Sequence, residues 1–445
     1  MTTNTETDNS PLFYQANTQL PLVSHADGVY LWDQSGKRYL DGCSGAITCN
    51  LGHNHPKIKA AMKAQLDKVA FSYRTQFESS EAIELASMLA DMTDRYLNKV
   101  FFVGSGSEAV ESAIKLARQY FFATNQPQRT RFVSLTPSYH GSTLGALGLT
   151  SYFPLEEPFE PIINTAVKVP SPDLYRYTEA TLEEHIAAVL AETEKRIEAV
   201  GGDTIAAIVI EPVGGASTGA RMLTQQYFEG IRALCDRYGC LLIFDEVLAG
   251  MGRTGQWLAY QNWDVKPDIV SLAKGLGAGY YPIAAILSRG EIVNAVMASG
   301  GFQHGHTYAG NPMACATGVA IMRTMLDDDI IAKSRETGAY LGQQLHQLAE
   351  KHPIVGHVRG IGMLYGMELV QDRDTKEPWP AELNLFNKVT QIAKSKGLLI
   401  YPRRTLNGLK GDHFLVCPPL TITPAEIDTL IQLLDETLTE LHSSL

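Results

Sequence analysis

LLIFDEV (241–247), the glycine-punctuated AGMGRTGQW (249–257) and DIVSLAKGLGAG (268–279) form the stretch on which the reading of this chain turns. Residues 241–244 are a short apolar run of the kind that fills a buried parallel strand, and Asp245 falls where such a strand ends. A second run, 269–272, ends in the same way and delivers Lys274 two residues later. In open α/β sheets the carboxyl ends of the strands are where ligands bind, so an acid and an amine are offered to one pocket.

That pairing suits pyridoxal 5'-phosphate. Its aldehyde needs an amine, and its ring nitrogen needs a carboxylate that keeps it protonated, so that the ring can absorb carbanion electrons. From these two residues alone, a loop-capping aspartate and a solvated lysine before a turn remain an alternative. Six ordered motifs decide between them: FVGSGSEAVESAIKLARQYF (102–121), SYHGSTLGA (138–146), IVIEPV (208–213), IFDEVLAGMGRTG (243–255), SLAKGLGAGYYP (271–282) and HGHTYAGNP (304–312). Together they resemble the class III aminotransferases, a pyridoxal phosphate family of the aspartate aminotransferase fold, from about Tyr30 to the C-terminus. The resemblance implies an α/β protein of fold type I, with a large domain built on a mostly parallel seven-stranded sheet and a smaller α+β domain.

Composition agrees. A chain of 445 residues exceeds a single core, and 45% hydrophobic with 19% charged residues is ordinary for a globular enzyme. A net charge of −11 without a Lys/Arg block argues against nucleic acid or an anionic membrane as partner. The polar start, MTTNTETDNS, reads as a disordered tail and not as a secretory signal; with no long apolar run, a cytoplasmic protein is expected. Six cysteines without CxxC spacing read as buried, reduced thiols, although Cys43 or Cys49 could instead line a pocket.

Taken in order, VYLWDQSGKRYLDGCSG (29–45) reads as a hairpin, which in the family covers the active site. Residues 1–60 are expected to join the small domain, 61–330 to form the cofactor-binding domain and 331–445 the small domain. His53 and His55 show H-x-H spacing, but no cysteine or third histidine is expected to lie nearby, and no metal is assigned. The resemblance puts Ile47 near the substrate. Tyr73 and Arg74 either reach a bound acid or pin their loop.

Residues 99–103 read as a strand, and GSGSE opens a helix whose N-terminus suits a phosphate, with Ser105, Gly106 and Ser107 as contacts. A dinucleotide fingerprint fits less well, because GSGSEA lacks the third glycine and lies about 100 residues into the chain. Tyr139, after the strand at 131–135, is the candidate to stack on the cofactor ring, with His140 beside it in support. Val247, two residues beyond Asp245 on what reads as extended chain, is expected on the opposite ring face. Glu211 belongs by resemblance to the polar network beside the cofactor; otherwise it is a strand-end carboxylate paired with a loop arginine. Residues 152–200 read as scaffolding and subunit contact. Thr307 matches the threonine that reaches the neighbouring subunit's phosphate in the family, implying a homodimer with shared sites, in some cases a tetramer.

The resemblance implies a two-stage ping-pong exchange between an amino donor and a 2-oxo acid, in which Lys274 both holds the cofactor and moves the proton. Two departures bear on substrate. Leu248 stands where ornithine-type and 4-aminobutyrate-type relatives carry glutamine, which shifts the resemblance towards the amine or ω-amino acid:pyruvate enzymes. In YPRRTLNG (401–408), read as a strand end and loop, Arg403 or Arg404 is placed to pair with a substrate carboxylate. A mutase, racemase or decarboxylase of the same fold would use the same lysine and aspartate.

Overall fold

The computed structural model describes residues 20–445, so the expectation of a disordered N-terminal tail lies outside the described residues. Three short strands come first: β1 (Val23–Asp27), β2 (Tyr30–Asp33) and β3 (Arg38–Asp41). The expected hairpin is β2–β3, and Asp33 closes its turn by accepting the Ser35 and Lys37 amides at 2.9 and 3.1 Å.

The central sheet has seven strands: β4 (Lys99–Val103), β5 (Arg131–Thr136), β6 (Val167–Pro170), β7 (Ile205–Ile210), β8 (Leu241–Asp245), β9 (Ile269–Leu272) and β10 (Ala284–Ser288). Their order is β4-β10-β9-β8-β7-β5-β6, with β10 antiparallel to both neighbours and the other pairings parallel. IAAIVI and LLIFD are buried at every position because helices cover both faces, which is why they read as unbroken apolar runs. All of these strands but β10 run in one direction, so six strands end at one edge. Phe244 pairs with Ile210 and Asp245 with Ser271, so Glu211 comes level with Asp245 and Lys274 lies just beyond.

The C-terminal sheet contains β11 (Val355–Ile361), β12 (Leu364–Asp372), β15 (Tyr401–Leu406) and β16 (Lys410–Val416), with the two-residue β13 (Glu377–Pro378) on the outer end of β12. Between them, β14 (Leu398–Leu399) pairs in parallel with β3, tying the start of the chain to its end. The apolar run LLIYP (398–402) therefore splits at Ile400, half joining the hairpin sheet and half the C-terminal sheet. RRTL, read from sequence as loop, is strand. The overlooked signal is Asn407-Gly408, both at positive φ in the tight turn to β16. The Pro-rich excursion docks on this sheet through Arg176, whose guanidinium meets the buried Glu368 at 2.5 Å.

Candidate active site

The carboxyl edge of the central sheet opens into a cavity of about 500 Å³. Its walls include Ser105, Gly106, Ser107, Tyr139, His140, Glu211, Asp245, Val247 and Lys274, as well as Ile47 and Arg403. Each of the first nine lies at or just after the end of a strand, where the helix or turn that follows aims it inward.

Lys274 sits at φ +42, a left-handed conformation that costs a lysine energy and is held by the tight turn Leu276–Gly277–Ala278, whose amides bond back to Ala273 and Lys274. Removal from water lowers its amine pKa, while Asp245 and Glu211 pull the other way. A less basic amine is what a lysine needs to act as nucleophile and proton carrier at neutral pH.

Asp245 is fixed on both oxygens. One accepts the Val247 amide at 3.1 Å and the other meets His140 Nδ1 at 2.8 Å. His140 is itself positioned by its amide donating to Thr150 Oγ1 at 2.9 Å, and its Nε2 is buried without a partner. Val247 lines the cavity, but on a turn and not on extended chain, because its amide folds back onto Asp245. Glu211 does not pair with an arginine. It accepts amides from Tyr139 at 3.0 Å and Gly215 at 2.9 Å, and burial raises its pKa.

One end of the cavity is a helix start. Ser105 caps Gly106–Ala123 by accepting the Glu108 amide at 3.2 Å, leaving first-turn amides facing the cavity. A Cβ on Gly106 would lie 2.8 Å from Val247 Cγ1, so the backbone approaches closely only because no side chain is there. Ser107 Oγ accepts the Ser142 amide at 3.0 Å. A buried lysine, a carboxylate and an amide-rich helix start on one cavity fit the aldehyde, ring nitrogen and phosphate of pyridoxal 5'-phosphate.

Three expected contacts are not brought into this cavity. Tyr73 is exposed, and Arg74 donates to the His304 carbonyl at 3.1 Å with its guanidinium over Phe101, so it pins its loop. Thr307 is exposed and is absent from the cavity wall. The paired arginines separate. Strand alternation turns Arg403 to the cavity, whereas Arg404 bonds Asp412 Oδ1 at 3.0 Å and the Ala381 carbonyl at 2.6 Å. Sequence reasoning missed Thr48, Tyr152, Leu155, Ala216, Ser217, Tyr281 and Tyr401, which complete the wall. They carry no chemical signature, and Tyr152 and Leu155 come from the excursion read as scaffolding.

Next to Asp245, Glu246 accepts the Ala259 and Tyr260 amides, both at 2.8 Å, yet burial outweighs these bonds and raises its pKa to about 7. The folded state thus binds a proton that the unfolded state has lost between pH ~4.5 and ~7, and stability falls as pH rises through that window. In Glu246→Gln, the dependence of the urea midpoint on pH between 5 and 8 is expected to flatten.

The class-III aminotransferase family matches residues 13–438. The chain is 39% identical to the uncharacterized aminotransferase YodT of Bacillus subtilis, covering 97% of this chain and 98% of that one. It is 34% identical to the putrescine–pyruvate aminotransferase of Pseudomonas aeruginosa over 93% of this chain and 89% of that protein. Among solved structures, an amine transaminase from an uncultivated Pseudomonas species, in its pyridoxal phosphate-bound form, superposes with a TM-score of 0.90 at 33% identity, covering 97% of this chain and 98% of that one. A strand-edge lysine and aspartate on a fold type I sheet define a pyridoxal phosphate enzyme. This chain belongs to the class III aminotransferases, and its cofactor is pyridoxal 5'-phosphate.

Proposed function

We propose that the enzyme moves an amino group from an ω-amino acid, β-amino acid or amine to a 2-oxo acid, pyruvate or 2-oxoglutarate, by a ping-pong mechanism in the cytoplasm. Bound in the cavity, the cofactor supplies an aldehyde for the donor nitrogen and a cationic ring that takes up electrons from the neighbouring carbon. Asp245 would hold the ring nitrogen's proton, Tyr139 and Val247 the two ring faces, and Ser105–Ser107 the phosphate. Lys274 Nζ carries the proton taken from the donor carbon, and the cavity walls keep bulk water from it.

Arg403 carries the reading of substrate. It faces the cavity, and among the described residues no carboxylate forms an ion pair with it, so its guanidinium is free to receive a substrate carboxylate. Apolar Ile47, Leu248 and Leu155 on the wall suit the carbon chain of a donor without a charge next to its amine. Arg403→Ala is expected to raise KM for carboxylate-bearing substrates roughly 10- to 100-fold while leaving carboxylate-free amines unaffected. Arg404→Ala strands the buried Asp412 and is expected to cost roughly 2–3 kcal/mol of stability with little change in substrate preference. The decisive assay follows keto-acid and amino-acid products with a panel of donors and both acceptors. Release of carbon dioxide, or rearranged or racemised donor without acceptor consumption, would replace transamination by decarboxylase, mutase or racemase chemistry.

The reading includes a homodimer with shared sites, or a tetramer made from such dimers. Its support is the exposed Thr307 beside the exposed aromatics Phe71, Tyr73, Phe77 and Tyr308, a surface that a second copy would cover with Thr307 and Tyr73 directed to its cavity. It also divides the chain near residues 60 and 330, supported by the β3–β14 pairing that joins the first segment to the last. Among the described residues no helix is long and apolar enough to cross a membrane.

A further inference from the structure

Behind the cavity wall, Asp41, Cys49 and His53 bring a carboxylate oxygen, a thiol sulfur and a ring nitrogen within 4.8 Å of one another. The expectation that no cysteine lies near the H-x-H pair is overturned by the fold. His55 turns away, its amide held by Tyr280 Oη at 2.7 Å, while Cys49 and Asp41 join His53 instead. From this arrangement we propose that Asp41, Cys49 and His53 form a binding site for a divalent cation of the zinc class.

The donor set selects the ion. One sulfur, one imidazole nitrogen and one carboxylate match zinc's preferences, and three protein ligands leave a fourth position for water. Calcium and magnesium, which require oxygen donors, are disfavoured. The two anionic ligands balance the charge of the ion, the Cys49 thiol proton passing to solvent as the sulfur binds.

The backbone already holds all three donors. Asp41 ends β3, and its Oδ1 accepts the Gly45 amide at 2.9 Å, leaving Oδ2 directed at His53 Nε2, 3.1 Å away. Cys49 is pinned by its amide to the Ser44 carbonyl at 3.1 Å, and His53 by a two-way bridge with Gly28 at 2.7 and 3.2 Å. Asp41 is fully buried, and the His53 side chain is 18% exposed. In the ion's presence the His53–Asp41 hydrogen bond is exchanged for two metal bonds, a movement of side chains alone. The site adjoins the catalytic machinery. Ile47 and Thr48 line the cavity, and a Cβ on Gly279 in the lysine turn would lie 2.7 Å from Cys49 Sγ.

Cobalt(II) is the probe, because its ligand-field bands in the red are clear of cofactor absorption and report tetrahedral thiolate coordination. Titration of the dimer-competent holoenzyme is expected to give one cobalt per chain, displaced by zinc. Cys49→Ser and His53→Gln should each weaken binding at least ~10-fold, and Cys49→Asp should keep zinc binding by equilibrium dialysis while losing the thiolate signature. Each variant is checked for native circular dichroism and cofactor content, so lost binding is read on folded protein. Absence of stoichiometric binding, or binding unchanged in either Cys49→Ser or His53→Gln, would overturn the proposal.

Discussion

Lys274→Ala is expected to lower turnover by about 10⁴-fold or more while leaving the fold and much of the cofactor affinity in place. The size follows from the two roles proposed for one amine, as covalent anchor of the cofactor and as the base that moves the proton. Other amines on the cavity wall do not replace it, for among the residues lining the cavity Lys274 is the lysine. Cofactor binding should persist because the helix start at Gly106, the Asp245 carboxylate and the tyrosine at 139 are separate from it in the structure. Removing the side chain also relieves a lysine in a left-handed conformation of part of its environment but not of its φ, so a large gain in stability is not expected. Steady-state rates with the best donor, together with cofactor retained through gel filtration, check this. Turnover within a factor of ten of the parent enzyme would remove Lys274 from the chemistry.

Asp245→Asn is expected to reduce kcat by about 10²- to 10³-fold with a smaller effect on KM. The substitution preserves volume and an acceptor for the Val247 amide but removes the charge proposed to keep the ring nitrogen protonated. The loss is therefore concentrated where electrons move towards the ring, and not where the donor binds. His140 loses its anionic partner at 2.8 Å in the same step. His140→Gln, which removes the imidazole and leaves the carboxylate, is the control: it should fall between the parent and Asp245→Asn if the histidine acts by positioning. A kcat for Asp245→Asn equal to that of the parent would mean that the carboxylate is structural.

Much of the site was legible because its residues directly follow apolar runs. Asp245, Lys274, Glu211 and Tyr139 come within four residues of the ends of β8, β9, β7 and β5, and a parallel sheet sends such positions to one edge. The helix start at Gly106 was legible for a related reason: GSGSE follows an apolar strand and is made of small residues and a capping serine. Local chemistry and strand direction settle these positions before any long-range contact forms.

What the sequence by itself determined, then, is the sheet, its carboxyl edge and the residues placed there. The tertiary structure alone decided which of two adjacent arginines lines the cavity, because Arg403 and Arg404 differ only in the face of a strand that forms when β15 pairs with β16. It likewise made Val247 a turn residue and brought Tyr152 and Leu155 from a featureless excursion to the cavity. It gathered Asp41, Cys49 and His53 through the hairpin and the Gly28 bridge. The physical reason is the same in each case. Periodicity and strand ends are properties of neighbouring residues, whereas the facing of a side chain across a sheet or a cavity depends on partners distant along the chain.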